Sequence, residues 1–464
     1  MVVLLACLEM ARNELLLFAG VGLLIGGLDE LVLDLLFLAR RLWRNLTVYT
    51  RYARMTAADL PPPGSAGPIA IFVPAWDEAE VIGPMLRRCL SLWQDEDICL
   101  FVGVYPNDPA TADAIAGAVG EAADRVMVVT HARPGPTTKA DCLNQLWAAL
   151  RRWEAAQGRQ ALAIVLHDAE DVVHGDALRL IGMLAPRFAL IQLPVLPLPS
   201  AGSRWVSGHY LDEFAECHGK SLLVREALGA ALPSAGVGCA FSREAIGKIA
   251  QARGERPFDP GSLTEDYELG LRIGEHGGRG ILVRMRDERG GLIGTREYFP
   301  DTLDASVRQK ARWMVGIALA GWDRLGWSGG WRERWMRLRD RRAAIAALIL
   351  AAAYLGLVLG VTIYVGDLLT GRTPRPWPAP LYWLLWINFL LLVWRFAVRL
   401  IFVWRSYGIV EALLSVPRTV VSNVIAMMAA RRAIMLYVRH LRGRPLSWDK
   451  TAHRFPDDPA MDAR

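Results

Sequence analysis

The chain has 464 residues, 53% of them hydrophobic, and a positive mean hydropathy. It is too long for one ordinary domain and too apolar for a purely soluble one, so a large globular domain with membrane segments is expected. The net charge of +6 concentrates around 40–54, 332–342 and 395–444. These basic blocks flank apolar runs, which points to a membrane surface rather than to nucleic acid.

The first element in chain order is the run LLLFAGVGLLIGGLDELVLDLLFLARRLWR, about long enough to cross a bilayer. Its positive charges follow the apolar part and no small-residue cleavage site ends it, so a membrane anchor is expected rather than a cleaved signal peptide. The cluster Arg40, Arg41, Arg44, Arg51 and Arg54 places its C-terminal end in the cytoplasm. PPPGSAG, Pro61 to Gly67, reads as a linker that sets an N-terminal segment, 1–60, apart from the α/β region.

Over 61–330, apolar β-branched runs recur at Ile69–Val73, Ile98–Val104, Val126–Thr130, Leu162–Leu166 and Ala189–Leu193, separated by helical periodicity such as Leu143, Leu146, Trp147 and Leu150. This is an α/β pattern with a mainly parallel, Rossmann-like sheet. Ligands of such sheets bind at the carboxyl ends of the strands. The segment 331–464 then holds two further spans, about 343–365 and 381–403. The turn Gly371–Pro380 joins them, and interfacial helices over 406–440 come after the second. Asp29, Glu30 and Asp34 in the first span lie at depths similar to Arg395 and Arg399 in the third. Pairing between them is expected, Asp34 with Arg395 in particular. The six cysteines show no metal spacing and read as reduced core residues.

Acids gather at the predicted strand ends. VPAWDEAEVIG places Asp77 and Glu78 after the first strand, and YPNDPAT places Asp108 after the second. LHDAEDVVHG carries Asp168, Glu170 and Asp171, more carboxylates than one helix cap needs. Two carboxylates suit a divalent cation shared with substrate phosphates, and Asp171 suits a cap. In PGPTTKADCLN, Thr137 or Thr138 caps a helix whose first turn presents Lys139, an arrangement suited to phosphate. SLTEDYELGLR sets Glu265 and Asp266 at a helix start, and RQKARWMVG puts Gln309, Arg312 and Trp313 on one helix face. HGKS at His218–Ser221 is no P-loop, because Phe214 stands where the first glycine is required.

Taken in order, Asp108, Asp168-Ala-Glu170, Thr-Glu-Asp266 and Gln309-x-x-Arg312-Trp313 resemble processive, membrane-embedded family 2 glycosyltransferases such as the cellulose, chitin and hyaluronan synthases. Over about residues 10–456 the motifs, including PSAGVGCAFSR, REYFPDT and the tail WDKTAHRFP, are also similar to the bacteriophage N4 adsorption protein B family. The resemblance implies a GT-A fold in the bacterial inner membrane with the large domain cytoplasmic. It implies a nucleotide-sugar donor, expected to be a UDP-sugar, and a glycan or lipid-linked acceptor. It also implies a role in a surface polysaccharide, with an outer-membrane export or phage-receptor partner. Under it Asp168 and Glu170 hold Mg²⁺ or Mn²⁺, Lys139 meets the diphosphate, and Glu78 and Asp108 contact the nucleoside. Glu265 lines the site beside Asp266, the general base. Gln309 and Arg312 close on the diphosphate, and Trp313 stacks on the acceptor sugar. Glu170 departs from the aspartate of many relatives. Larger relatives continue into a domain linked to cyclic di-GMP; the sequence stops at Arg464, so regulation through such a domain is not expected. Single transfer to a lipid carrier, or a non-catalytic scaffold, are the competing readings.

Overall fold

The computed structural model describes residues 2–200, 202–443 and 454–456. Among these residues nine strands form: β1 (Ile69–Pro74), β2 (Ile98–Val104), β3 (Val126–Thr130), β4 (Ala163–Leu166), β5 (Leu190–Gln192), β6 (Val195–Pro197), β7 (Cys239–Ser242), β8 (Gly280–Leu282) and β9 (Thr295–Glu297). Seven make one sheet in the order β3-β2-β1-β4-β7-β5-β8, and β6 pairs with β9 apart from it. All pairings in the large sheet are parallel except those of β7, which runs antiparallel to β4 and β5. The five expected strands are present. The four missed are three or four residues long, too short to show a period.

The sheet is covered on both faces, which is why its strands read as unbroken apolar runs. Along β1, Ile69, Ile71 and Val73 pack toward helices Ile82–Leu92 and Ala177–Leu184, while Ala70 and Phe72 face Leu143, Leu146 and Trp147 of helix Lys139–Gln157. Strand order reverses between β1 and β4, so the crevice beyond their carboxyl ends is the natural ligand site.

Among the described residues three helices, beginning at Val2, Ala343 and Ala379, are long and apolar enough to cross a membrane. They are longer than expected. The first runs Val2–Thr47, the second Ala343–Thr370, and the third continues from Ala379 to Leu441 with a break at Gly408, φ +83°. Beyond Gly408 this helix is not merely interfacial. Ala429, Ala430 and Ala433 pack on Ala311, Met314 and Val315 of the segment that carries the Gln-x-x-Arg-Trp motif. Of the tail WDKTAHRFP, only Arg454, Phe455 and Pro456 fall among the described residues, and Phe455 packs against the main core. The six cysteines are free thiols, but Cys7 is exposed rather than core.

Two five-residue π-helical turns, Cys217–Ser221 and Val315–Leu319, interrupt helices between the sheet domain and the apolar helices. The first holds Lys220, 1% exposed, which donates to Asp34 and, at 2.7 Å, to Glu216. Asp34 also accepts from Trp394 Nε1 at 2.8 Å, and Arg395 pairs with Glu216 and lies 3.8 Å from Glu30. Asp29 and Glu30 bind Arg339 and Arg342 of the helix Trp331–Arg341 and its cap. The acids of the first helix are therefore paired, but Asp34 takes Lys220 rather than Arg395. The partner comes from the HGKS segment, whose position in space the sequence does not reveal.

Removing one partner of a buried pair leaves an uncompensated charge and costs about 3–5 kcal/mol, whereas apolar replacement of both is often near neutral. Lys220→Met is expected to lower the thermal midpoint of the lipid-embedded protein sharply, and Asp34→Leu/Lys220→Met to recover most of it. A double variant no more stable than Lys220→Met would show that the pair is not the tie.

Candidate active site

The carboxyl ends of β1, β2 and β4 lie side by side, with Pro74 in register with Gly103 and Phe72 with Leu166. After β1 the chain turns through Asp77 at φ +55°, a left-handed conformation aspartate tolerates. Its N–H donates to Asp108 Oδ2 at 2.6 Å, and the N–H of Glu78 donates to Thr111 Oγ1 at 2.9 Å. These bonds fix Glu78 at the crevice. Asp108 also accepts from Thr111 N as the cap of the next helix, and it is not among the residues lining the cleft. Its visible work is to hold the β1 turn.

Thr138, not Thr137, caps the helix after β3, accepting from Asp141 N at 3.2 Å, and Lys139 is the first residue of that helix. Its ammonium lies 2.5 Å from Asp168 Oδ1. Asp168 and Glu170 follow β4 in a turn locked by Asp171. That side chain is fully buried, bonds His167 Nδ1 at 2.6 Å and accepts from Asp168 N at 3.2 Å. Asp171 is thus structural, but it braces the turn rather than capping the helix, whose cap position falls to Asp176. Burial pulls His167 down to about 4, against the opposing pull of Asp168, so the ring is neutral near pH 7.

Glu265 and Asp266 open the helix Glu265–Glu275, and Asp266 accepts from Tyr267 N at 2.8 Å. Gly236, at φ +80°, lies directly beneath: a Cβ there would meet Asp266 Oδ2 at 2.3 Å. Only glycine suits that backbone and lets the carboxylate sit so close. Gln309, Arg312 and Trp313 reach the same cleft from helix Leu303–Met314. Trp313 stands edge-on to Tyr210, which stacks on Phe299 with ring centres 4.6 Å apart, and Lys310 Nζ lies 5.0 Å from the Tyr210 ring centre.

Nine of the ten residues singled out by the sequence therefore line one cleft of about 130 Å³: Glu78, Lys139, Asp168, Glu170, Glu265, Asp266, Gln309, Arg312 and Trp313. The structure adds Glu297, at the end of β9, and the aromatic rings of Phe214 and Phe299. Their signal was weak: β9 is three residues long, and Phe214 stands out in the sequence only for spoiling a P-loop.

Six acids face two cations, Lys139 and Arg312, so the cleft carries a large surplus of negative charge. Burial and Asp266 raise Glu265 to about 7 against the pull of Lys139, and burial raises Asp266 in the same way. Burial disfavours the Lys139 ammonium, but Asp168, Glu265 and Asp266 outweigh it and hold it charged. An oxygen-rich, carboxylate-surplus cleft fits Mg²⁺ or Mn²⁺, with Asp168 and Glu170 as the pair able to share the ion with phosphate oxygens. A second acid cluster, Glu30, Asp34 and Glu216, has ligand atoms within 4.8 Å of one another, but Lys220, Arg395, Arg339 and Arg342 already pair with it. Gln309 Oε1 and Thr264 Oγ1 are buried without hydrogen-bond partners among the described residues, polar atoms that a bound ligand would satisfy.

The sequence is 39% identical to bacteriophage adsorption protein B of Escherichia coli strain K12 over 94% of this chain. It is 39% identical, over the same share, to bacteriophage N4 adsorption protein B of Escherichia coli O157:H7. It spans 61% of the length of each of these relatives. The fold is similar to that of a mannosyltransferase from Pyrobaculum calidifontis, solved with GDP-Man and Mn²⁺. The TM-score is 0.54 at 14% identity, covering 90% of this chain and 99% of the other. Residues 163–398 match the model of glycosyl transferase family group 2, half of the chain and the part from β4 through Asp168, Asp266 and Trp313 into the third apolar helix, so the chain belongs to that family.

Proposed function

We propose that the protein is an inverting glycosyltransferase of the bacterial inner membrane that uses a UDP-sugar to build a surface polysaccharide, with its sheet domain on the cytoplasmic side. The observation that carries this is the convergence of Lys139, Asp168, Glu265 and Asp266 in one cleft, rimmed by Gln309, Arg312 and Trp313. The two Escherichia coli relatives are named for phage adsorption, which supports an outer-membrane export or receptor partner. The basic ends of the apolar helices support the orientation.

Asp168 and Glu170 would hold a divalent cation, which when bound would supply positive charge to offset the charge that develops on the leaving group. Lys139, which balances Asp168 in the free protein, turns to the diphosphate, and Arg312 with Gln309 closes over it. Asp108 supports Glu78 at the nucleoside through the β1 turn. The acceptor hydroxyl lies on Trp313. Its oxygen attacks the anomeric carbon, its proton passes to Asp266, and the bond from that carbon to the diphosphate breaks, releasing UDP with inversion. The raised affinity of Asp266 for protons suits a base that must accept one near neutrality. Single transfer to a lipid carrier is the second reading. It is favoured by there being three helices long and apolar enough to span among the described residues, few for a polymer channel in one chain.

Purified protein in lipid, screened with UDP-sugars and GDP-mannose, is expected to release UDP only with Mg²⁺ or Mn²⁺. Release should stop with chelator and return with the ion. No nucleotide release from any donor would favour a scaffold, and product size separates a polymer from a single transfer. Asp266→Asn should reduce turnover by about 10²–10⁴-fold with donor affinity nearly unchanged; equal loss of both would remove its role as base. Because the base works ionised, transfer should fall as pH drops through about 7, where the Glu265–Asp266 pair takes up a proton. Lys139→Met should move that limb to higher pH, since the ammonium that favours both carboxylates is gone. An unmoved limb would mean that other groups set it.

A further inference from the structure

A second cavity, of about 620 Å³, lies far from the cleft, between the three apolar helices at the end of the bundle away from the sheet domain. Its inner wall is aliphatic and glycine-rich, with Leu16, Leu23, Gly356, Leu357 and Gly360. Gly356 lets the first two helices touch, since a Cβ there would meet Leu16 at 2.7 Å, whereas a Cβ on Gly360 has nothing nearer than Arg12 Cδ at 3.7 Å. Tyr364 and Asn388 also line the cavity, but Asn388 Nδ2 already donates to Gly20 O and Leu384 O, and so largely apolar a wall suits a hydrocarbon chain better than a sugar.

The outer mouth is charged. Arg372 joins Glu9 to Asp367, two buried carboxylates. Arg375, 70% exposed, reaches Glu9 only at 3.7 Å. Arg12 makes no ion pair among the described residues. It bonds Asn13 and lies 4.2 Å from the ring centre of Trp377, which also lines the cavity. Three guanidiniums against two carboxylates leave one positive charge in excess. A tryptophan beside them marks the level where ring and headgroup meet in a bilayer. Counting along the first helix from Glu30, paired at the domain end, Arg12 stands 18 residues away, or about 27 Å at 1.5 Å per residue, close to the thickness of a hydrocarbon core.

We propose that this cavity binds one phospholipid of the leaflet opposite the sheet domain, its acyl chain against Leu16 and Leu357 and its anionic headgroup on Arg12 and Arg375. Basic pockets between membrane helices recognise anionic headgroups in this way. The inference does not depend on the catalytic reading.

The test uses the 464-residue protein reconstituted in mixed phosphatidylcholine and phosphatidylglycerol bilayers, with tightly retained lipid counted by native mass spectrometry. One retained lipid per chain is expected, with phosphatidylglycerol preferred by about fivefold, the effect of one interfacial arginine. Arg12→Gln/Arg375→Gln should keep the lipid and lose the preference. Gly360→Leu, which fills the cavity, should lose the lipid. Equal retention of both lipids by the unaltered protein overturns the proposal. So does a preference that survives the double variant, or a stable dimer with no retained lipid.

Discussion

Lys220 is enclosed by Asp34 of the first apolar helix and Glu216 of its own, while Arg395 of the third apolar helix reaches the same glutamate. An ammonium so deeply buried is tolerable only with close carboxylates, so the three segments cannot separate without stranding charge. This constraint seats the sheet domain on the helices. The helix Gly208–Glu216 lies between: its Tyr210 and Phe214 touch Phe299, Tyr210 also touches Trp313, and its Glu216 belongs to the network. Whatever fixes that helix against the apolar helices also fixes one wall of the cleft.

The cleft itself combines burial with an accumulation of like charge. No single acid in it is unusual, but burial first and acidic neighbours second raise Glu265 and Asp266, while Asp168, Glu265 and Asp266 keep Lys139 charged. Gly236 sharpens this by letting Asp266 lie against bare backbone. The same surplus of carboxylate oxygens suits a divalent cation.

Much of this was legible in the sequence because strand ends leave a local signature. An apolar run followed by acids says both where the strand stops and which edge its acids occupy, and this held for Glu78, Asp168 and Glu170. Ordered spacing on one helix face did the same for Gln309, Arg312 and Trp313. What the sequence could not disclose depends on distance in space. Asp108 and Asp171 look like their acidic neighbours, yet one supports a turn and the other pairs with His167, choices set by backbone N–H groups and rings that only the fold brings near. The partner of Asp34 failed for the same reason, since Lys220 lies 186 positions away in a segment with no membrane character of its own.

Each of the two π-helical turns follows a helix that lines the cleft and also packs on the third apolar helix: Cys217–Ser221 comes after Tyr210, Phe214 and Ala215, and Val315–Leu319 after Ala311, Arg312 and Trp313. One additional residue in a helical turn offsets everything beyond it by about 100°. Before the first turn Asp212 and Glu216 meet Arg418 and Arg395 of the third apolar helix, and within it Lys220 meets Asp34 of the first. The first wide turn thus acts as a fixed phase shift, by which one helical segment that walls the cleft grips the third apolar helix and then the first.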